Sequence, residues 1–307
     1  KMTSDIVIQY IISGLIYGSI YAVIALGFNI VYNATGIINF AQGEFVMLGG
    51  MITHSLSKSI SLPLALLAAV LITAVIGGFI ELVFIRNIGR LAKRKFKKTP
   101  EMQMTIMTIG ISILLREIAL TIWGEQVQTV PFFTGNETSS LTLAGASFSP
   151  QLLWIIGTAF LIFLFLSFFY KFTLKGQAMR ACACSKTGAL ICGIPAPLMV
   201  TLSFILAAGI GALAGAVTAP LTQTHYAIGT ALSIKGFTVA VFGGLGSSGA
   251  AAAAGFLLGI IESFSIIIFP EAFKDIVSII LLLLILFLRP SGLFAASVKK
   301  GKKESTR

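Results

Sequence analysis

The sequence predicts an all-α polytopic membrane protein of about eight to nine transmembrane helices, some of them half-helices interrupted by glycine. Three observations carry that prediction. Of 307 residues, 56% are hydrophobic and only 11% charged, whereas a water-soluble domain carries roughly 25% charged residues. Apolar runs near or above the ~20 residues needed to cross a bilayer recur along the chain, without the short alternating segments of a membrane β-barrel. Most of the 22 Lys and Arg residues fall in three blocks outside those runs. The blocks are Arg86, Arg90, Lys93, Arg94, Lys95, Lys97 and Lys98; then Lys171, Lys175, Arg180 and Lys186; then Arg289, Lys299, Lys300, Lys302, Lys303 and Arg307. Basic residues flanking spans stay on the cytoplasmic side, so the blocks predict one shared face. The net charge of +11 then reflects topology and anionic-lipid contact rather than nucleic-acid binding. Beyond Phe96 and Phe172, the blocks also lack the aromatics a nucleic-acid surface uses.

The first span covers 6–31 and ends where Asn33, Thr35 and Gly36 interrupt it. It is too long for a signal-peptide core and no clear cleavage site follows. The second, 37–54, opens unusually on Asn39, Phe40, Ala41, Gln42, Gly43 and Glu44. The third, 62–85, runs into the first basic block, and the fourth covers 102–123. The connector 124–150 contains Glu125 and Glu137 but no Lys or Arg. A fifth span, 152–170, leads into the basic region 172–197, which Pro195 and Pro197 end. The sixth, 198–219, is expected to stop at Pro220. A short apolar piece, 234–242, breaks at Gly243, Gly244, Gly246 and Gly249. The span 250–269 follows, and Pro270 is placed at the first turn of a last span, 271–289, closed by Pro290.

If the basic blocks share a face, the chain crosses an even number of times between the second and the third. Three long spans lie there, so the piece 234–242 must itself cross or be compensated. Nine residues of helix rise only ~14 Å, about half the ~30 Å hydrocarbon core. A half-helix meeting an unwound glycine-rich stretch is therefore predicted, with the N-terminus outside and the C-terminus inside.

Paired broken segments point to a translocation path, because unwound backbone is tolerated at depth only in protein or beside a cavity. The candidate path residues are Asn39, Phe40, Gln42, Gly43 and Glu44 in the first half and Gly243, Gly244 and Gly246 in the second. Glu44 is costly in a membrane and should face the bundle interior. It either lines the path or caps the amides of a broken helix, and the sequence leaves both open. The pairs Gly14/Gly18, Gly211/Gly215 and Gly255/Gly259 read as close helix crossings. Glu81, Arg116, Glu117, Lys235 and Glu262 are further charges in or near spans. Arg116 and Glu117 are adjacent and cannot face each other across one helix, so their partners are not named by the sequence. Cys182, Cys184 and Cys192 read as reduced cytosolic thiols, with no nearby His to complete a metal site. The stretch 175–197 is expected to hold a short helix ending at Gly193, suited to docking a soluble partner, or to be an ordinary loop. No GxxxxGK[ST], HExxH or GxSxG motif occurs, which argues against ATP hydrolysis or hydrolase chemistry by this chain.

The run 14–45, GLIYGSIYAVIALGFNIVYNATGIINFAQGEF, resembles the first shared region of LivH-type branched-chain amino acid ABC importer permeases. Ile38, Asn39, Phe40, Ala41, Gly43 and Glu44 match the INFA-x-GE signature, with Gln42 where many members carry His. The stretch GQAMRACA…ALICGI resembles the family's cytoplasmic coupling loop at Gly176, Arg180, Ala181, Ala183, Ala189, Gly193 and Ile194. Residues 237–262 resemble a third region with a Gly-Gly-x-Gly core, and RPSGLF at 289–294 resembles the common ending. Cys184 and Ser185 stand where many relatives carry acidic residues, and 250–254 is plainer than usual.

The resemblance implies an ABC importer permease fold in one domain, 1–307, with a coupling loop at 172–197 and a basic cytoplasmic tail at 299–307. It implies pairing with a LivM-like second permease or with itself, two cytoplasmic ATPases that hold the ATP, and an external substrate-binding protein delivering amino acid. The chain itself would bind no cofactor and no nucleic acid, and would lie in the bacterial inner membrane. Rival readings are the same architecture serving urea or short amides, a proton-driven secondary transporter titrating at Glu44, or a scaffold without flux.

Overall fold

The computed structural model describes residues 4–89, 100–136, 139–143, 146–267, 269–270, 273–289 and 292. Most of the first basic block (90–98), Glu137, Pro290 and the basic tail 299–307 lie outside the described residues. The helices are α1 (Ser4–Thr35), α2 (Gln42–Ser57), α3 (Leu62–Ile80), α4 (Pro100–Trp123) and α5 (Gln151–Phe172), then α6 (Leu174–Cys184) and α7 (Lys186–Ile191). The series closes with α8 (Ala196–Thr222), α9 (Ile228–Gly243), α10 (Ser248–Ser265) and α11 (Lys274–Leu288). A π-helical turn, Glu81–Ile85, extends α3 towards its basic end. Among the described residues, six helices are long and apolar enough to cross a membrane, and the chain is a multi-pass membrane protein.

Contacts between termini fix the direction of the helices. At one end, Asn29 and Asn33 near the end of α1 bond the α9–α10 turn at Gly246 (3.0 Å each), and Arg86 reaches Thr201 at the start of α8 (3.3 Å). The helices α6 and α7 lie at that end too, because they join α5 to α8. At the other end, Gln9 bonds Ser147, Trp123 bonds Ser55 and Gln128 pairs with Thr224. A Cβ on Gly292 would lie 2.5 Å from Gly244 Cα, which brings the end of α11 to the same turn. Arg86, the α6–α7 region and Arg289 therefore share one end, as the charge pattern predicts for them.

Glycine sets how closely the helices approach. A Cβ on Gly18 would meet Phe256 Cα at 2.8 Å, and one on Gly259 would meet Gly18 Cα at 2.6 Å. Thus Gly14/Gly18 of α1 and Gly255/Gly259 of α10 mesh backbone to backbone. Gly215 does the same for α8 on α2, where a Cβ would lie 2.7 Å from the Val46 carbonyl carbon. These crossings bury α1 so completely that Ile24, Ala25, Ile30 and Val31 have no exposed surface.

Several boundaries differ from the sequence reading. The short piece 234–242 is in fact a helix of 16 residues, rising about 24 Å. It begins six residues earlier because Gly229, Thr230 and Ser233, which look like breakers of an apolar run, are helical. Their small or polar side chains meet other helices instead of lipid. Pro220 does not stop α8: it sits buried inside the last turn, and Gln223 at φ 57° ends the helix. Pro270 is not in the first turn of the last helix, which starts at Lys274. The second span is helical only from Gln42, the residues 36–41 being unwound. Within the connector 124–150, β1 (Leu141–Leu143) pairs antiparallel with β2 (Ala146–Phe148).

Candidate functional site at the unwound entry to α2

The unwound 36–41 segment leaves backbone groups without helical partners, and two neighbouring helices supply them. On the α4 side, the Phe40 N–H donates to Thr108 Oγ1 (3.1 Å). On the α9 side, Ser233 Oγ accepts from the Gly43 N–H (2.9 Å) and donates to the Phe40 carbonyl (3.1 Å). Asn39 closes the turn locally, its Oδ1 accepting from the Ala41 N–H at 3.2 Å. The Phe40 ring stacks obliquely on Phe237 of α9, with centroids 5.5 Å apart.

Glu44 sits one turn further along, fully buried. Its Oε1 accepts from Ser112 Oγ of α4 (2.9 Å) and from Thr230 Oγ1 of α9 (3.2 Å). Its Oε2 has no hydrogen-bond partner among the described residues and points at Gly229, where a Cβ would sit 2.7 Å from the Glu44 carboxyl carbon. Thr108 and Ser112 are four apart on α4, and Thr230 and Ser233 three apart on α9, so each pair shares a helix face. The result is a floor of unwound α2 strapped to two walls by two rungs of hydroxyls. Arg116, one turn beyond Ser112, lies within electrostatic reach of Glu44.

Gln42 points elsewhere. Its Nε2 donates to the Ala207 carbonyl of α8 (3.0 Å) and the side chain packs against Gly27 and Gly211. It is a helix-packing group, whereas Phe40, Gly43 and Glu44 touch the seam between α4 and α9. Gly243, Gly244 and Gly246 are not brought to that seam. They form the turn after α9, with φ 93° at Gly244 and 95° at Gly246, tied to Asn29 and Asn33. The contacts of residues 40–44 on α9 run from Gly229 to Phe237, about 9–21 Å of helix before Gly243.

The four strapping hydroxyls are absent from the sequence reading. The available signal was Ser/Thr spaced three or four apart on two apolar helices, a common pattern where hydroxyls bond back to their own helix. The other intramembrane charges also acquire partners. Contrary to the expectation from their adjacency, Arg116 bonds Glu117 at 3.1 Å, because both side chains are long enough to bend towards each other across the helix surface. Lys235 lies 2.7 Å from Asp275 and 3.4 Å from Glu262, and Glu262 accepts from Tyr21 OH (2.7 Å) and from Ser278. Glu81 accepts from Thr201 (2.6 Å) and stands 3.6 Å from Arg86.

The stretch from 174 forms two helices rather than one, because Ser185 breaks the run and caps α7 by accepting from the Gly188 N–H (3.1 Å). Thr173 caps α6 in the same way at Gly176 (3.0 Å). A Cβ on Gly176 would lie 2.7 Å from the Phe169 carbonyl carbon, so the α5–α6 corner requires glycine. Met179, Cys182 and Ala189 are buried and Ala181 partly so, while Arg180, Ala183 and Cys184 face outwards. Leu174 (85%) and Ile191 (83%) are also largely exposed. Gly193, at φ 77°, ends the region as the sequence predicts.

Residues 10–286 match the family described as branched-chain amino acid transport system, permease component. The chain belongs to this family. It is 33% identical over 303 residues to the Pseudomonas aeruginosa high-affinity branched-chain amino acid transport system permease protein BraD, covering 93% of this chain and 95% of the relative. It is 31% identical to LivH of Escherichia coli K12 over 301 residues, 93% and 94% of the two chains. The probable LivH of Methanocaldococcus jannaschii is 25% identical over 303 residues, 94% and 93% of the two. No solved structure matches. The protein is thus the membrane-spanning permease component of a branched-chain amino acid transport system.

Proposed function

We propose that this chain imports branched-chain or other hydrophobic amino acids across the bacterial inner membrane, with its N-terminus outside and its C-terminus in the cytoplasm. Two cytoplasmic ATPases dock on α6–α7, a second LivM-like permease or a second copy completes the path, and an external binding protein delivers the substrate. The relatives' names favour amino acids over urea or short amides. The observation that carries the ATPase reading is the exposed face of α6–α7, where Arg180, Ala183, Leu174 and Ile191 point away from the bundle at its basic end. On this reading Asn39, Phe40, Gly43 and Glu44 belong to the path floor. Gln42 supports that floor from behind, and Gly243, Gly244 and Gly246 form the hinge that ends its α9 wall.

The test is uptake by the assembled complex. Inactivating the partner ATPase abolishes uptake, whereas dissipating the proton gradient alone does not. Uptake by this chain alone, collapsing with an uncoupler, would establish the proton-driven alternative instead. Arg180→Glu uncouples ATP hydrolysis from transport while the chain still inserts, and normal coupling in that variant removes Arg180 from the interface.

A further inference from the structure

Charges within the spans are mostly enclosed: Glu44 and Glu262 are fully buried, Glu81 nearly so, and Lys235 is held by acidic partners. Arg116 and Glu117 differ. Their side chains are 35% and 52% exposed on α4, yet they lie seven positions before Trp123 and its neighbour, about 10 Å inside the helix end. The Trp123 indole donates to Ser55 at 2.6 Å, as suits an aromatic at a membrane boundary. A charge at such depth costs at least ~2.5 kcal/mol against lipid, so this face of α4 meets protein or a watery path. One turn deeper on the same helix is the Ser112–Glu44 bond, with Thr230 of α9 across from it. Arg116 therefore stands at the outer mouth of the seam between α4 and α9. Behind it lies a buried carboxylate oxygen, Glu44 Oε2, without a hydrogen-bond partner among the described residues.

We propose that Arg116 and Glu117 form an outer station for the zwitterionic head group of the transported amino acid. The guanidinium binds the α-carboxylate and the Glu117 carboxylate binds the α-ammonium. The inference rests on the amino-acid reading above. A guanidinium presents a planar fork of donors that matches a carboxylate. Both Arg116 bonds to Glu117 converge on Oε1 (3.1 and 3.4 Å), which leaves Glu117 Oε2 outside that bridge for an ammonium group. Adjacent helical residues diverge by about 100°, so the pair opens by side-chain rotation alone. A zwitterion then exchanges one internal ion pair for two, with no net charge added at depth. A solute bearing only one of the two charges leaves the other residue unmatched.

The experiment uses the complete importer reconstituted with its partner subunits, and radiolabelled L-leucine as the probe. Arg116→Gln, Arg116→Lys and Glu117→Gln each lower leucine uptake about ten-fold or more. Co-purification of all subunits reports assembly. The exchange variant Arg116→Glu/Glu117→Arg keeps an adjacent ion pair but reverses its order, and uptake stays low. Full uptake in the exchange variant, or in Arg116→Lys, would overturn the station and leave the pair as a self-neutralising device for insertion. Absence of leucine uptake by the wild-type complex would instead refute the amino-acid reading. That result is distinguishable from wild-type uptake that all variants retain, which refutes the station alone.

Discussion

Gly229→Ala should act through Glu44, and the structure sets the scale. The new Cβ would sit 2.7 Å from the Glu44 carboxyl carbon and 3.0 Å from its Cα, and would overlap Oε2. The second of these neighbours is backbone, so the side chain cannot absorb the whole clash. Overpacking of this kind costs about 1–3 kcal/mol. Pushing the carboxylate aside also loses the Ser112 and Thr230 bonds, each about 1.5–3 kcal/mol for a charged acceptor. Glu44→Ala alone loses the same two bonds and opens a void. In the double variant Glu44→Ala/Gly229→Ala, the alanine at 229 enters the space the carboxylate vacated, and the bonds are lost only once. The two changes must therefore be non-additive, the double variant being better than the sum of the singles by about 3 kcal/mol or more, since the two bonds are counted once instead of twice. Thermal midpoints of the purified complex in detergent, with leucine uptake measured on the same preparations, provide the cycle. Additive losses in stability would show that Gly229 and Glu44 do not press on each other, and the strapped floor would be wrong.

Other changes follow from the same contacts. Lys235→Met leaves Glu262 buried beside Tyr21 and Ser278 without its cation, a loss of about 3–5 kcal/mol; adding Glu262→Gln should restore much of the yield, measured as monodisperse protein in detergent. Gly259→Val drives a side chain into the α1 backbone at Gly14 and Gly18 and should lower accumulation several-fold by immunoblot, whereas Gly110→Val, where among the described residues nothing beyond its own helical turn lies within 4 Å of a Cβ, should not. Glu44→Ala should reduce uptake more than membrane insertion, and equal loss of both would assign Glu44 to capping alone. Cys184 and Cys192 are exposed and Cys182 is buried, so an impermeant maleimide should label two thiols in inverted vesicles and none in intact spheroplasts; the reverse pattern would invert the proposed orientation.

Composition, the lengths of the apolar runs and the three basic blocks fixed the class of this protein and the common end of its charged connectors. Those signals are one-dimensional, because the cost of placing charge or unpaired backbone in lipid applies residue by residue. The glycine spacings of α1 and α10 were legible for the same reason: a repeat of four marks one helix face whatever that face meets. The site was legible only in part. Glu44 stood out as an expensive charge, but Thr108, Ser112, Thr230 and Ser233 are ordinary residues until α4 and α9 are laid on either side of residues 36–44. The partners of Lys235, which are Tyr21, Glu262 and Asp275, come from three other helices, and the role of Gln42 depended on which side of α2 faces α8. Period and composition tell a helix which face is distinctive. Only packing in three dimensions says what that face touches, since contacts between residues 186–241 positions apart leave no local trace.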